Sequence, residues 1–189
     1  MKRKWIFLPA AIIFFMMSSP SYALYYSFGY GGSGSADANN FTMEIGSTDI
    51  RIGEKTYLGS ISIPFINHGD SNIPSGTIDS KSPHNNNKSL GLRDEGMEIG
   101  ILGKIGRPML YPKTYVNLIC GFTRTNNVKI VRSNPTGNYY AQSTDSNLEP
   151  VIGAGVSYFP ELFEWGPAMI LSLDIDNRRG ITTSIGWCW

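Results

Sequence analysis

The sequence predicts an all-β fold, an antiparallel up-and-down transmembrane β-barrel of about eight strands preceded by a cleaved signal peptide. Three observations carry this expectation. Apolar and aromatic residues alternate with small or polar ones in separate segments along the chain. After residue 23, nothing approaches the run of roughly 18 apolar residues that a spanning helix needs. Short connections also alternate with long polar ones. In lipid, extended backbone can satisfy its N–H and C=O groups only by closing into a barrel.

The first element is the signal. The chain opens with Met1, Lys2, Arg3 and Lys4, runs apolar from Trp5 to Met17, and closes on Ser18, Ser19, Pro20, Ser21, Tyr22 and Ala23. A basic start, an apolar stretch too short to cross a bilayer, and small Ser21 and Ala23 at the −3 and −1 positions predict cleavage after Ala23. An uncleaved anchor helix is the alternative, but Pro20 interrupts the run and no stop-transfer stretch follows it. The expected division is 1–23 signal peptide and 24–189 barrel domain. Removing Lys2, Arg3 and Lys4 takes the formal net charge from +1 to −2. No basic bias toward nucleic acid survives.

The strands follow in order, each read from a side-chain period of two. Tyr26, Phe28 and Tyr30 alternate with Ser27, Gly29 and Gly31; Phe41, Met43 and Ile45 oppose Thr42, Glu44 and Gly46. Tyr57, Ile61, Ile63 and Phe65 oppose Ser60 and Ser62. Met97, Ile99, Ile101 and Ile105 oppose Glu98, Gly100, Lys104 and Gly106, with Leu102 and Gly103 as exceptions. Between Tyr115 and Arg124, Val116, Leu118 and Phe122 face out only if Ile119 faces in. Ile152, Ala154, Val156 and Tyr158 oppose Gly153, Gly155 and Ser157, and Met169, Leu171, Leu173 and Ile175 oppose Ser172, Asp174 and Asp176. Last and cleanest, Ile181, Thr183, Ile185, Trp187 and Trp189 alternate with Thr182, Ser184, Gly186 and Cys188. The stretch Pro160–Trp165 is too short for a useful helix and is bounded by Pro160 and Pro167, so a turn is expected.

An even strand number puts both termini at one end. The expected connections at that end are Arg51 to Lys55, Arg107 to Pro112 and Pro160 to Gly166. At the other end they are Gly32 to Asn40, Asn67 to Arg93, Thr125 to Asn147 and the tight Asn177 to Gly180. Both long polar connections fall on one side, an asymmetry that a soluble secreted β-sandwich does not require. Val128 to Arg132 also alternates, which predicts strands extended beyond the barrel with an exposed edge for a partner.

At Trp187-Cys188-Trp189 the chain resembles the C-terminal assembly signal of small, eight-stranded bacterial outer-membrane β-barrel proteins. That signal ends in an aromatic residue with a bulky apolar residue two before it. Trp189 and Trp187 match, and so does the polar Thr182; Ser184 stands where the pattern prefers glycine. The resemblance implies recognition of the last strand by the β-barrel assembly machinery. It also implies residence in the outer membrane of a Gram-negative cell, contact with outer-membrane lipid and lipopolysaccharide, and a monomeric state. The function expected is structural or surface-interacting through the long loops, without enzymatic activity. The alternatives are a lipid-modifying hydrolase and a small pore.

Candidate site residues are few. Glu44, Glu98, Lys104, Asp174 and Asp176 fall on the inward face, where charge is costly unless it pairs or meets water. An eight-stranded barrel is narrow enough to be filled by its side chains, so a plug of ion pairs is expected over an ion path. His68-Gly69-Asp70-Ser71-Asn72 is similar to the His-x-Ser-Asn motif of outer-membrane lipid A deacylases, with one residue more in between. Residues three apart in a strand face opposite ways, so His68 and Ser71 meet only in a turn. Lys81, Lys88, Arg93, Arg124, Lys129 and Arg132 give the loops basic groups suited to lipopolysaccharide phosphates. His68 and His84 form no metal cluster, no EF-hand spacing supports calcium, and no cofactor motif is present. Cys120 and Cys188 fall on opposite faces, so two unpaired cysteines are expected.

Overall fold

The computed structural model describes residues 24–69, 73–160 and 168–188. The expected signal peptide with its cleavage site at Ala23, residues Asp70 to Asn72 with Ser71, most of the stretch Pro160–Trp165 expected as a turn, and Trp189 lie outside them. Among the described residues there are nine strands: β1 Leu24–Ser33, β2 Asn39–Ile52, β3 Lys55–Gly69, β4 Ile78–Asp79, β5 Asn87–Pro108, β6 Thr114–Ser133, β7 Tyr139–Tyr158, β8 Ala168–Asp176 and β9 Gly180–Cys188. All but β4 form one closed antiparallel barrel, in the order β7-β6-β5-β3-β2-β1-β9-β8, with β8 paired back to β7. No helix among the described residues is long and apolar enough to cross a membrane.

Closure joins the first strand to the last. β1 and β9 pair from Tyr25 opposite Cys188 to Ser33 opposite Gly180, and β7 meets β8 from Gly153 opposite Asp176 to Tyr158 opposite Leu171. Both termini of the barrel therefore lie at one end. Closure also removes the sheet edges that would otherwise carry unpaired backbone groups.

The alternation translates into two surfaces of opposite character. Outside, Ile101, Leu118 and Ile152 are 67%, 66% and 70% exposed, while inside Glu98, Asn117 and Thr182 are wholly buried. A water-soluble barrel would be apolar inside. The outer surface also bears a diagonal of rings across β9, β1, β2 and β3. Trp187 to Tyr26 is 5.7 Å between centroids, Tyr26 to Phe28 5.9 Å, Phe28 to Phe41 6.0 Å and Phe41 to Phe65 6.4 Å. Offset and tilted ring pairs at such spacings are favourable beyond the area they cover.

The two exceptions in β5 have separate explanations. Leu102 is fully buried and packs with Ile119 and Val151, a small apolar patch on the lumen wall. Ile119 does face inward, as the outward placement of Leu118 and Phe122 requires. Gly103 faces outward, where a Cβ would meet only the Cys120 carbonyl at 3.8 Å. Cys120 is exposed, Cys188 is buried, and both are free.

Two expected loops are corrected. Thr125 to Asn147 is mostly strand, because β6 runs to Ser133 and β7 starts at Tyr139, leaving a tight turn between them. Asn67 to Arg93 shrinks likewise, since β3 runs to Gly69 and β5 starts at Asn87. These polar residues stay extended because β6 is laterally paired on both sides. Lys88 to Glu95 of β5 lie opposite Arg132 to Asn126, and Tyr139 to Ser143 of β7 lie opposite Arg132 to Val128. Cross-strand pairing outweighs a loop-like composition. The result is a three-stranded sheet raised beyond the end of the barrel opposite its termini. Val128–Arg132 is its middle strand, not the exposed edge expected from the sequence.

Irregularities shape the raised sheet. The β5–β6 register shifts between Ser89 and Gly91 and again between Glu95 and Ile99. Gly91 and Gly96 hold φ of 100° and 71°, a region that costs glycine little. Bulges at these points twist and bend the strand. On one face Val128, Ile130 and Ala141 form a buried cluster, with Ile73 and Tyr139 packed against it. β4 then adds in parallel to β7, Ile78 opposite Tyr140 and Asp79 opposite Ala141.

Candidate functional site

Two places concentrate chemistry, the lumen and the raised sheet. Near the termini the lumen is apolar: Tyr25, Leu58, Phe159, Ile170 and Cys188 pack together, with Tyr115 against them. Tyr25 and Tyr115 meet the Phe159 ring edge-on, at 5.8 and 5.5 Å between centroids. This is a stopper of side chains.

Above it sits the first ion-pair layer. Lys104 from β5 donates from Nζ to Glu44 Oε2 at 3.0 Å and to Asp174 Oδ2 at 2.7 Å, so one ammonium bridges carboxylates from β2 and β8. The Tyr25 and Ser60 hydroxyls donate to Glu44 Oε1 at 2.7 and 2.6 Å. Beside this layer, Asn117 Nδ2 donates to Ser157 Oγ at 2.7 Å, and Ser157 Oγ lies 2.8 Å from Ser172 Oγ.

The next two layers are organised by the turn between β8 and β9. Inward positions of β8 are even-numbered, and Arg178 continues that phase past Asp174 and Asp176. Arg179 donates from Nε to Asp176 Oδ2 at 2.5 Å and from Nη1 to Thr42 Oγ1 at 3.0 Å. The Asp176 carboxylate also accepts the backbone N–H groups of Arg178 and Arg179, which fixes the turn. Asn40 ties the same layer together, donating to the Arg179 carbonyl at 3.2 Å and accepting from the Thr182 hydroxyl at 3.2 Å.

Arg178 forms the last layer. Its guanidinium donates to Glu98 through Nε at 2.8 Å and Nη2 at 2.6 Å, and through Nη2 to Asp94 Oδ2 at 2.6 Å. Burial opposes its charge, but hydrogen bonds to Glu98 and Asp94 outweigh that and raise its pKa above the ordinary arginine value. Glu98 Oε2 also lies 2.8 Å from His68 Nε2. His68, Asp94 and Glu98 are close enough to share a cation by ligand spacing alone. The Arg178 guanidinium bonded to both carboxylates already supplies the positive charge there.

All five inward charges named from the sequence are thus buried in the lumen, the four acids each hydrogen-bonded to a basic group and Lys104 to two of the acids. Sequence reasoning missed the other two cations, Arg178 and Arg179, because they stand in a tight turn between strands, and Asp94 because it stands in the part of β5 before Met97 where the alternation fades. The available signal was the even-numbered phase leading from Asp176 to Arg178. His68 is inside the barrel on Glu98, and Ser71 lies outside the described residues. Thr182 faces the lumen, whereas Trp187 faces outward against Tyr26.

On the raised sheet, the cations are arranged differently. Lys88 lies directly opposite Arg132, and Leu92 opposite Lys129. Arg132 donates to the Gly137 carbonyl at 3.3 Å and sits 5.8 Å from the centroid of the Tyr139 ring. Among the described residues Lys88, Arg93, Lys129 and Arg132 take part in no salt bridge. No known protein-family model matches the chain, and no curated protein is similar enough to show a family.

Proposed function

We propose that this chain is an outer-membrane barrel protein that spans the bilayer with eight strands and holds its raised sheet at the cell surface for interaction. The observation that carries this reading is the reversal of polarity across the wall, an apolar outer surface around an ion-paired interior. Apolar surface facing acyl chains costs nothing, while the strands satisfy one another's backbone groups. The apolar stopper and the stacked charge layers fill the lumen, which favours a rigid mount over a conduit. Trp187 beside Tyr26 fits an interfacial aromatic position near the termini. In this reading the signal peptide directs export, the assembly machinery receives the last strand, and outer-membrane lipid and lipopolysaccharide surround a monomer.

The test has two parts. Folded protein in detergent should migrate differently on a gel with and without boiling, and planar bilayers should show no single-channel steps. A band that boiling leaves unmoved, with release from membranes by high salt, would favour a soluble sandwich. Discrete conductance would replace the mount with a pore. The lipid-hydrolase alternative draws on the His68–Glu98 contact, a base beside an orienting carboxylate. Ser71→Ala should leave lipid A acylation unchanged if the mount reading is right.

A further inference from the structure

The two edges of the raised sheet are treated differently by the fold. On the β7 side, Ile78 and Asp79 of β4 pair with Tyr140 and Ala141 and occupy the edge. On the β5 side, pairing with β3 ends at Gly69 opposite Gly96. Above that point Asn87–Glu95 is paired only with β6 among the described residues. A strand with one open edge presents a row of unpaired N–H and C=O groups, the template on which an extended peptide adds.

This edge is bare in its side chains as well. Lys88, Ser89, Leu90, Gly91, Leu92 and Arg93 are six consecutive exposed residues within one strand. Leu92 is 59% exposed. Lys88 and Arg93 flank the two leucines and have no carboxylate partner among the described residues. Lys88 is held directly opposite Arg132, a like-charge arrangement that is destabilising without a counter-ion.

We infer that the edge Asn87–Arg93 receives an extended acidic segment of another protein as an added strand. This rests on the proposed display of the raised sheet at the cell surface. The partner's backbone completes the open ladder, apolar side chains meet Leu90 and Leu92, and carboxylates neutralise Lys88 and Arg93. The same features argue against a second copy of this chain. Edge lysines and bulges are the devices by which sheets avoid pairing with themselves, and antiparallel copies in the register that sets Lys88 opposite Arg93 would bring like charges together. An acidic strand meets no such barrier.

The test uses the full-length folded protein in detergent micelles, where binding does not depend on cellular location. The probes are an eight-residue peptide alternating glutamate with valine, its lysine-for-glutamate counterpart, and the glutamate peptide with a central proline. Two exposed charge pairs gained against two like-charge contacts predict about tenfold tighter binding of the acidic peptide than of the basic one. Proline should weaken it, because it cannot complete the ladder. Hydrogen exchange of amides in 87–93 should slow when the acidic peptide binds. The double variant Lys88→Glu with Arg93→Glu should reverse the preference, with the gel shift on boiling showing that the barrel is intact. Equal binding of both charged peptides, or unchanged exchange at 87–93, would overturn the inference while leaving the barrel reading intact. Lipopolysaccharide vesicles that bind through Lys88 and Arg93 while acidic peptide does not would overturn it in favour of a phosphate-bearing membrane surface. Concentration-dependent dimers that protect 87–93 without peptide would overturn it in favour of self-pairing.

Discussion

Lys104→Met is the most informative single substitution in the lumen. Methionine keeps much of the length and loses the charge, so the two carboxylates bridged at 3.0 and 2.7 Å lose their shared cation. Each of the three side chains is 3% exposed. Glu44 keeps hydrogen bonds from Tyr25 and Ser60, whereas Asp174 loses the Lys104 bond to Oδ2, and its Oδ1 has no partner of its own. Breaking a buried pair by removing one member costs about 3–5 kcal/mol. At 1.4 kcal/mol per factor of ten, that is a loss of roughly two to more than three orders of magnitude in the folding equilibrium. Urea unfolding of the barrel reconstituted in lipid vesicles, followed by tryptophan fluorescence, measures it. Asp174→Asn added to Lys104→Met should recover part of the loss by removing one uncompensated charge. A loss below about 1 kcal/mol, the range of exposed pairs, would mean that the layer is solvated and would refute the filled lumen.

Arg178→Ala should destabilise by about 3–5 kcal/mol in the same assay, because it strips Glu98 of its cation. Asp94→Asn, at a side chain 27% exposed, should cost under about 1 kcal/mol. Gly186→Ala should cost about 1–3 kcal/mol or prevent closure, since its Cβ would press on the Tyr26 carbonyl and the Ser27 backbone at the β1–β9 seam. Gly103→Ala, whose Cβ would meet only the Cys120 carbonyl at ordinary contact distance, should leave the unfolding midpoint within error of the parent. Tyr25→Phe, which removes one hydrogen bond to Glu44, should cost about 1 kcal/mol by urea unfolding.

The parts of the fold that were legible in the sequence are those where one face meets a single kind of environment. Ile181 to Cys188 alternates without exception because one face is apolar and outward while the other lines a polar lumen. The same contrast located Glu44, Glu98, Lys104, Asp174 and Asp176, since a charge next to an outward isoleucine in a strand points the other way. Beyond the barrel that contrast disappears. Residues Lys88 to Arg93 are exposed on both faces, so no period of two survives and a paired strand reads as a loop. Arg178 and Arg179 were hidden for another reason. Their inward direction is set by Asp176 accepting their backbone N–H groups, a local bond that composition does not display. The Lys88–Arg132 juxtaposition depends on register, and bulges at Gly91 and Gly96 set that register.

If the outward face of the barrel lies in lipid, as proposed, Cys120 offers a native handle on it. It is exposed at mid-strand between Ile119 and Gly121, opposite Gly103 and Ile152, while Cys188 is buried. A nitroxide attached to Cys120 in a Cys188→Ala background, in outer-membrane lipid vesicles, should relax strongly with dissolved oxygen and weakly with a water-soluble nickel complex. Strong relaxation by nickel with little effect of oxygen would place this face in water and contradict insertion of the barrel in a bilayer.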